Sequence, residues 1–139
     1  MKEVNVYTSN EFHDWQRRNL ASRFVLQDID TWALAWADSQ SSYDPIAIVE
    51  LKRSYYAPKD WKPFLNDKPN YLALFKLAQR AKLPLWIVYF KKGESITDES
   101  LFHLFNVNHV SAEQTTSWMS YKDKLIKAKE FIRIFPKLF

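Results

Sequence analysis

Two segments of the sequence are apolar at consecutive positions, and they constrain the fold more than any other feature. Residues 85–90 (Leu-Trp-Ile-Val-Tyr-Phe) form an unbroken apolar run, and residues 46–51 are apolar at both even and odd positions apart from Glu50. A strand with two apolar faces is normally covered on both of them. The sequence therefore predicts a sheet that is enclosed between layers of helix.

The remaining segments supply both helices and strands. Turn-forming residues at 38–45 separate two strand-like segments, which predicts an antiparallel hairpin. The predicted helices span residues 11–20, with Ser9 or Asn10 as the cap, 70–82 and 120–135; the predicted strands span residues 23–37, 46–56, 85–90 and 101–110. No repeat or linker divides the 139 residues. We expect one α/β (α+β) domain over residues 1–139, with a central mixed sheet flanked by helices.

Composition excludes several kinds of site. The chain has no cysteine, one glycine and three widely spaced histidines. These counts exclude disulfides, thiolate nucleophiles, cysteine zinc sites and glycine-rich phosphate loops. Carboxylate, lysine, hydroxyl and backbone groups remain, with or without a hard metal ion. The net charge of +4 permits a nucleic-acid partner but does not require one.

Neither a membrane span nor a secretion signal is visible in the sequence. No stretch approaches the roughly 18 consecutive apolar residues of a spanning helix. The first five residues, Met-Lys-Glu-Val-Asn, lack the apolar core of a signal peptide. We expect a cytoplasmic protein that has no membrane partner.

Acidic side chains interrupt the apolar faces of the two hairpin strands. Residues of equal parity share a face of a strand. One face of the first strand carries Phe24, Leu26, Asp28, Asp30, Trp32 and Leu34, and one face of the second carries Ile46, Ile48, Glu50 and Lys52. Folding the hairpin brings Glu50 and Lys52 alongside residues 30–33.

Such a convergence has a chemical consequence. Carboxylates among apolar walls need a cation, a lysine partner or a raised pKa. Two carboxylates and a lysine suit a divalent ion with oxygen ligands. The alternatives are structural: Glu50 and Lys52 form a solvated edge pair, and Asp28 and Asp30 cap a β-bulge.

Asp30, then a hairpin, then Ile48-Val49-Glu50-Leu51-Lys52 resembles the motif of the PD-(D/E)XK nuclease superfamily. An acid-bearing helix before the motif, and a helix and an apolar strand after it, follow the order of elements in that family. The resemblance covers residues 11–90. It implies a restriction-endonuclease-like fold, and it is compatible with an origin in a phage or mobile element.

The resemblance also implies roles for individual residues. Asp30 and Glu50 would bind Mg²⁺, or Mn²⁺ in its place, and the Leu51 carbonyl would be a further ligand. Lys52 would orient or activate the attacking water, or stabilise charge on the phosphate. Glu11 would be an auxiliary acid. No proline precedes either aspartate, so Asp28 is an alternative to Asp30, and Asp14 is likewise an alternative to Glu11.

Weaker candidates lie outside the motif. Related folds often place a polar residue of the helix after the motif near the site, and Gln79 is such a residue. The loop before that helix interleaves basic residues with aromatics, which suits phosphate contact and base stacking. The basic residues are Arg53, Lys59, Lys62 and Lys68; the aromatics are Tyr55, Tyr56, Trp61 and Phe64. The alternative is a solvated loop whose aromatics cover the edge of the core.

These observations give one expected function and one rival. We expect a Mg²⁺-dependent nuclease that hydrolyses phosphodiester bonds, with DNA as the substrate by family resemblance. The rival is a catalytically inactive module of the same fold that binds nucleic acid or a host protein. Small members of the superfamily often dimerise, so the resemblance is compatible with a homodimer.

Overall fold

The computed structural model describes residues 6–19, 29–113 and 117–138. Its helices and strands follow one another as α1 (Val6–Asn19), β1 (Thr31–Ala37), β2 (Ser42–Ser54), α2 (Lys68–Ala81), β3 (Leu85–Lys91), β4 (Leu101–Val110), β5 (Met119–Lys127) and α3 (Ala128–Ile134). Short 3-10 turns lie at Asp38–Gln40, Pro58–Asp60, Leu65–Asp67 and Phe135–Lys137. The described fold is α+β with helices on both sides of a mixed sheet.

The five strands form one sheet in the order β1-β2-β3-β4-β5. The pairs β1–β2, β3–β4 and β4–β5 are antiparallel, whereas β2 and β3 are parallel and are connected through α2. The predicted hairpin is confirmed, with Thr31 opposite Val49 and Trp32 opposite Ile48. The chain reverses at Ser41, which has a positive φ of 50°.

The inner strands of the sheet are covered on both faces, as their apolar runs predict. The α2-side core contains Ile48, Trp61, Tyr71, Leu74, Phe75, Ala78, Leu85, Ile87, Tyr89, Phe105, Val107 and Val110. The α3-side core contains Ala33, Ala47, Val49, Trp86, Val88, Phe102, Leu104 and Ala128. Consecutive residues of β2 alternate between the two cores, so Ile48 packs below α2 while Ala47 and Val49 pack on the opposite face.

The predicted helix over residues 120–135 is wrong in its first half. Residues 119–127 form β5, which pairs with β4, and the helix begins only at Ala128. Leu125 and Ile126 suggested a helical stripe, but they lie on opposite faces of an edge strand. Ile126 packs against the α3-side core while Leu125 is exposed. A strand with charged residues on both faces lacks the alternation by which strands are recognised.

Other boundaries differ less. The first helix begins at Val6, so Ser9 and Asn10 lie inside it and do not cap it. Residues 20–28, which include much of the predicted first strand and Asp28, lie outside the described residues. Within the described ranges, the longest helices have 14 residues, too few to cross a bilayer, for which about 20 are needed.

Candidate active site

The hairpin brings Asp30 and Glu50 together. Asp30 directly precedes β1, and the pairing of Thr31 with Val49 places Asp30 beside Glu50 on β2. The Oδ2 atom of Asp30 accepts a hydrogen bond from the backbone N–H of Leu51 at 3.2 Å. This contact holds the Asp30 side chain against β2, where the sequence predicted it.

Glu50 is a buried acid with incomplete compensation. Its side chain lies on the α2 side of the sheet, and the residue is only 6% exposed. Asn70 at the start of α2 donates a hydrogen bond from Nδ2 to Oε2 of Glu50 at 3.2 Å. Burial is the largest cause that raises the pKa of Glu50 to about 7, and a hydrogen bond and negative charge from Asp30 act in the same direction. The Asn70 bond and the charge of Lys52 oppose the increase.

Lys52 lies two residues beyond Glu50 on the same face of β2. Its Nζ atom is 3.9 Å from Oδ2 of Asp67 and 5.4 Å from the centre of the Tyr71 ring. Its side chain is one-quarter exposed. The ammonium group therefore lies at the border between the α2-side core and solvent, close enough to Glu50 to lower its pKa.

Tyr71 closes the floor of the site. The residue is fully buried, and among the described residues its hydroxyl group has no hydrogen-bond partner. Burial, followed by the negative charges of Asp67, Glu50 and Asp30, raises its pKa. The phenol therefore stays protonated, and it is a buried donor near a group of acids.

Three residues at the start of α2 were not predicted as site residues. Asp67, Asn70 and Tyr71 contact or act electrostatically on Lys52 and Glu50, whereas the sequence singled out Gln79 on this helix. Gln79 is exposed and lies nine residues beyond Asn70, roughly 13 Å along the helix axis. Pro69 could have indicated these residues, because proline is common in the first turn of a helix. It therefore identifies the end of α2 that lies near Glu50 and Lys52.

The remaining acidic candidates are not joined to this group. Glu11 is exposed in the middle of α1, and no contact in the described part of the chain links it to Asp30 or Glu50. Asp14 pairs with Arg17 within the same helix. Asp28 lies outside the described residues. The auxiliary role of Glu11 and the alternative role of Asp28 stay predictions.

Three of the four basic candidates are exposed to solvent, and the fourth, Lys68, is buried. Arg53 lines an open cleft of about 400 Å³ with Asp30, Leu51 and Phe90. Lys59 and Lys62 are exposed on the loop. The prediction for Lys68 needs correction: the residue is buried, and its ammonium donates to the backbone carbonyl of Glu113. The ammonium of Lys68 is thus engaged inside the protein and is not available to contact a phosphate.

The loop aromatics divide in the same way. Trp61 is buried and stacks on Tyr89, with ring centres 4.5 Å apart and planes 8° apart. It therefore belongs to the core, as the structural alternative held. Tyr55, Tyr56 and Phe64 are exposed.

Another buried ionisable side chain lies two strands away from β2 on the same face of the sheet. His103 on β4 is 4% exposed, and its Nδ1 atom is 2.7 Å from the carbonyl oxygen of Pro58. Its Nε2 atom is 2.6 Å from Oδ2 of Asp123, and its ring stacks on Phe105. Both ring nitrogens thus have partners. His109 on the same strand is exposed and contacts Phe75 edge-on.

The side chains near Asp30 that could bind a divalent metal ion are its own carboxylate and that of Glu50. Within the described ranges, no three acidic or histidine side chains are grouped so as to hold a metal. Mg²⁺ is nevertheless commonly bound by only one or two carboxylates, with water completing its coordination. The negative charge of Asp30 raises the pKa of Glu50, and a cation bound beside the two carboxylates would oppose that increase. Asp30 and Glu50 are thus chemically suitable as a pair of oxygen donors for Mg²⁺, with water supplying the remaining ligands.

Comparisons with protein-family models, with curated proteins and with solved structures find no match to this chain.

Proposed function

We propose that this protein is a metal-dependent nuclease that hydrolyses phosphodiester bonds, with DNA as its substrate. The observation that carries the proposal is the contact between the exposed Asp30 and the buried Glu50, whose pKa is raised to about 7, with Lys52 on the same face of β2 as Glu50. Strongly shifted ionisable groups are characteristic of functional sites, and Glu50 is such a group beside Asp30, which lines an open cleft. The similarity to the PD-(D/E)XK motif supports the same assignment.

Asp30 and Glu50 would hold Mg²⁺, or Mn²⁺ in its place, with the Leu51 carbonyl as a further ligand. A divalent ion bound there would neutralise phosphate charge and increase the acidity of a water molecule. The N–H group of Leu51 orients the Asp30 carboxylate, and the Asn70 amide orients that of Glu50. Both acids are therefore held in place before any ligand binds.

Lys52 would act on the phosphate or on the attacking water. Its ammonium lies beside the acids, and a cation at this position stabilises the negative charge that develops on phosphate oxygens during hydrolysis. Asp67 and the face of the Tyr71 ring limit the orientations of the ammonium. Asp67 is thus a positioning residue, because it acts through Lys52.

The surroundings of the site suit a polyanion. Arg53 shares the open cleft with Asp30, and Lys59 and Lys62 are exposed on the neighbouring loop. Exposed Tyr55, Tyr56 and Phe64 offer rings on which unpaired bases can stack. Basic side chains would position the backbone, while the aromatic rings would favour single-stranded or distorted segments.

A cleavage assay tests the proposal. Double-stranded DNA, single-stranded DNA and RNA are incubated with the protein and Mg²⁺, Mn²⁺ or EDTA. We expect cation-dependent DNA cleavage that falls by about 100-fold or more in Glu50→Ala and Lys52→Ala, since each removes a group acting at the reacting phosphate.

Glu94→Ala and Lys76→Ala are matched controls, because they delete the same residue types at exposed positions away from the site. Circular dichroism checks that all four variants fold. If Glu50→Ala and Lys52→Ala cleave as well as the controls, the proposal is wrong.

The second candidate is a binding module that does not cut. The exposed aromatics beside Arg53, Lys59 and Lys62 favour it, because they require no metal. Such a module would bind single-stranded DNA equally well with Mg²⁺ or with EDTA. Its affinity would fall in Tyr56→Ala and Lys62→Ala and would be unchanged in Glu50→Gln. DNA cleavage by the parent protein would exclude this candidate.

A further inference from the structure

The sequence of β1 is symmetric about its centre. Residues 32–36 read Trp-Ala-Leu-Ala-Trp in either direction, with Leu34 in the middle. In an antiparallel pair of identical strands, a two-fold axis through Leu34 would place Trp32 opposite Trp36, Ala33 opposite Ala35, and Leu34 opposite itself. Every side chain of residues 32–36 meets one of its own type in this register.

This strand forms one edge of the described sheet. Among the described residues, β1 pairs only with β2, and its other side has no strand partner. Edge strands are normally protected from pairing by charged residues, prolines or bulges. Residues 31–37 contain no charge and no proline. The register irregularity near Ala33 and Leu34 adds its extra residue to β2, at Ile46, so β1 itself is continuous.

The opposite edge of the sheet is built differently. β5 carries four charged residues within nine positions: Lys122, Asp123, Lys124 and Lys127. Such a strand resists pairing with another copy, because charges would be buried or would face like charges. Of the two edges of the described sheet, only β1 has the composition of a pairing edge.

The side chains of β1 also leave apolar surface exposed on the α2 side of the sheet. Trp32 is 58% exposed, Leu34 41% and Trp36 53%. Trp32 lines an apolar cavity of about 380 Å³ together with Ile29, Pro45, Ile48, Leu77, Ala81 and Leu83. Trp36 contacts Tyr43 edge-on, and Tyr43 is exposed as well. The exposed surface is therefore continuous along the whole strand.

We propose that β1 pairs antiparallel with β1 of a second copy of this chain, with the two-fold axis passing through Leu34. The two sheets would join into one of ten strands. Trp32, Leu34 and Trp36 of one copy would interleave with the same three residues of the other. This interface is isologous, since one patch meets itself and closes the assembly at two copies. The inference does not depend on the proposed nuclease activity.

The area of this patch predicts a weak dimer. A fully buried aromatic side chain removes about 150–250 Å² from water, so the half-exposed Trp32 and Trp36 together with Leu34 supply roughly 300 Å² per copy. With backbone and neighbouring side chains, both copies together bury on the order of 1,000 Å², at the lower end for specific interfaces. The dimer should therefore dissociate on dilution.

Salt dependence gives the interface a distinctive signature. In the proposed register, Asp30 of one copy lies opposite Asp38 of the other, just beyond each end of the strand. Like charges placed opposite each other oppose pairing, and added salt screens them. We therefore expect association to tighten as NaCl increases, whereas a dimer held by ion pairs would weaken.

Sedimentation velocity over a range of protein concentrations tests the proposal. The parent chain should shift from 16.6 kDa to twice that mass as concentration increases. Leu34→Lys should remain at 16.6 kDa, because it places two ammonium groups face to face at the axis. Leu125→Lys is the matched control: Leu125 is 42% exposed on the opposite edge strand and should leave the dimer intact.

Hydrogen exchange of the β1 amides in the parent protein supplies a test that needs no variant. Protection of residues 31–37 that increases with protein concentration supports pairing through β1. A parent chain that stays at 16.6 kDa up to millimolar concentration overturns the proposal, and concentration-independent protection would then mean that the chain covers its own edge. A dimer that survives Leu34→Lys, with the fold intact by circular dichroism, also overturns it.

Discussion

Glu50 and His103 are both buried ionisable residues on neighbouring parts of one sheet, yet their surroundings differ. His103 has an oxygen partner at each ring nitrogen, the Pro58 carbonyl and the Asp123 carboxylate. Glu50 has the Asn70 amide on one side and another acid, Asp30, on the other. A buried polar group with a complete set of partners stabilises the fold. A buried acid placed against a second acid weakens it, which makes sense where the pair serves a ligand.

The comparison predicts opposite effects of removing the two side chains. The largest is expected for His103→Ala, which removes the imidazole partner of the Pro58 carbonyl and of the Asp123 carboxylate and opens a cavity beside Phe105. We expect a loss of about 3–4 kcal/mol in the free energy of unfolding. Urea titration measures it.

His109→Ala is the control on the same strand, since His109 is exposed, and it should change stability by less than about 0.5 kcal/mol. Equal effects of the two substitutions would show that His103 does not stabilise the loop at Pro58 as proposed.

The second largest effect is expected for Glu50→Gln, which should increase the free energy of unfolding, whereas His103→Ala decreases it. Because the pKa of Glu50 is near 7 in the folded protein and near 4.5 in the unfolded chain, folding retains a proton that the unfolded chain releases. Its contribution to stability is full below about pH 4.5, falls as the pH rises towards 7, and is constant above that. Glu50→Gln should therefore stabilise the protein at pH 8 by about 2–3 kcal/mol.

Unfolding curves for the parent and Glu50→Gln between pH 4 and 8 measure this difference. The gap between the two proteins should widen from pH 4.5 to 7 and then stay level. A gap that is independent of pH would mean that Glu50 titrates normally, and the contrast with His103 would be lost. Added Mg²⁺ should raise the melting temperature of the parent and leave that of Glu50→Gln unchanged.

The smallest effect is expected from removing the ion pair between Asp67 and Lys52. Asp67→Asn should alter stability by less than about 1 kcal/mol, because the pair is 3.9 Å apart and partly exposed. With Asp67 neutral, the ammonium of Lys52 would turn towards the acids and lower the pKa of Glu50. We expect the pH at which stability declines to shift to lower values.

Lys91→Ala, which removes another 3.9 Å ion pair, with Glu94, is the control and should leave that pH unchanged. An identical profile for the parent and Asp67→Asn would show that Asp67 has no influence on the site.

Much of the sheet could be read from local patterns. The turn residues at 38–45 predicted the hairpin, and the apolar runs predicted that β2 and β3 are covered on both faces. The position of the turn placed Glu50 and Lys52 alongside residues 30–33, but the exact pairing of Asp30 with Glu50 also depends on the register shift beside Ala33 and Leu34. The charged strand β5 could not be recognised, because what makes it a strand is its pairing with β4 and not an alternation of its own.

The residues that contact Asp30 and Glu50 were harder to predict from the sequence. Asn70 and Tyr71 approach Glu50 because α2 crosses from β2 to β3 with its first turn above the strands, an arrangement that no local pattern encodes. Lys68 and Trp61 are the converse case, because the sequence suggested that they are exposed and only the tertiary structure shows that they are buried. Both looked like surface groups beside a basic loop, and both are buried, one against Glu113 and the other against Tyr89.

The sequence alone determined which side chains share a face, since alternation along a strand depends only on residue spacing, and it determined the self-complementary order of residues 32–36. The tertiary structure decided which of those faces are covered and which groups meet across the chain. Burial is a collective property of packed elements, so the raised pKa of Glu50, the complete bonding of His103 and the exposure of the β1 edge emerge only once the sheet and its helices are assembled.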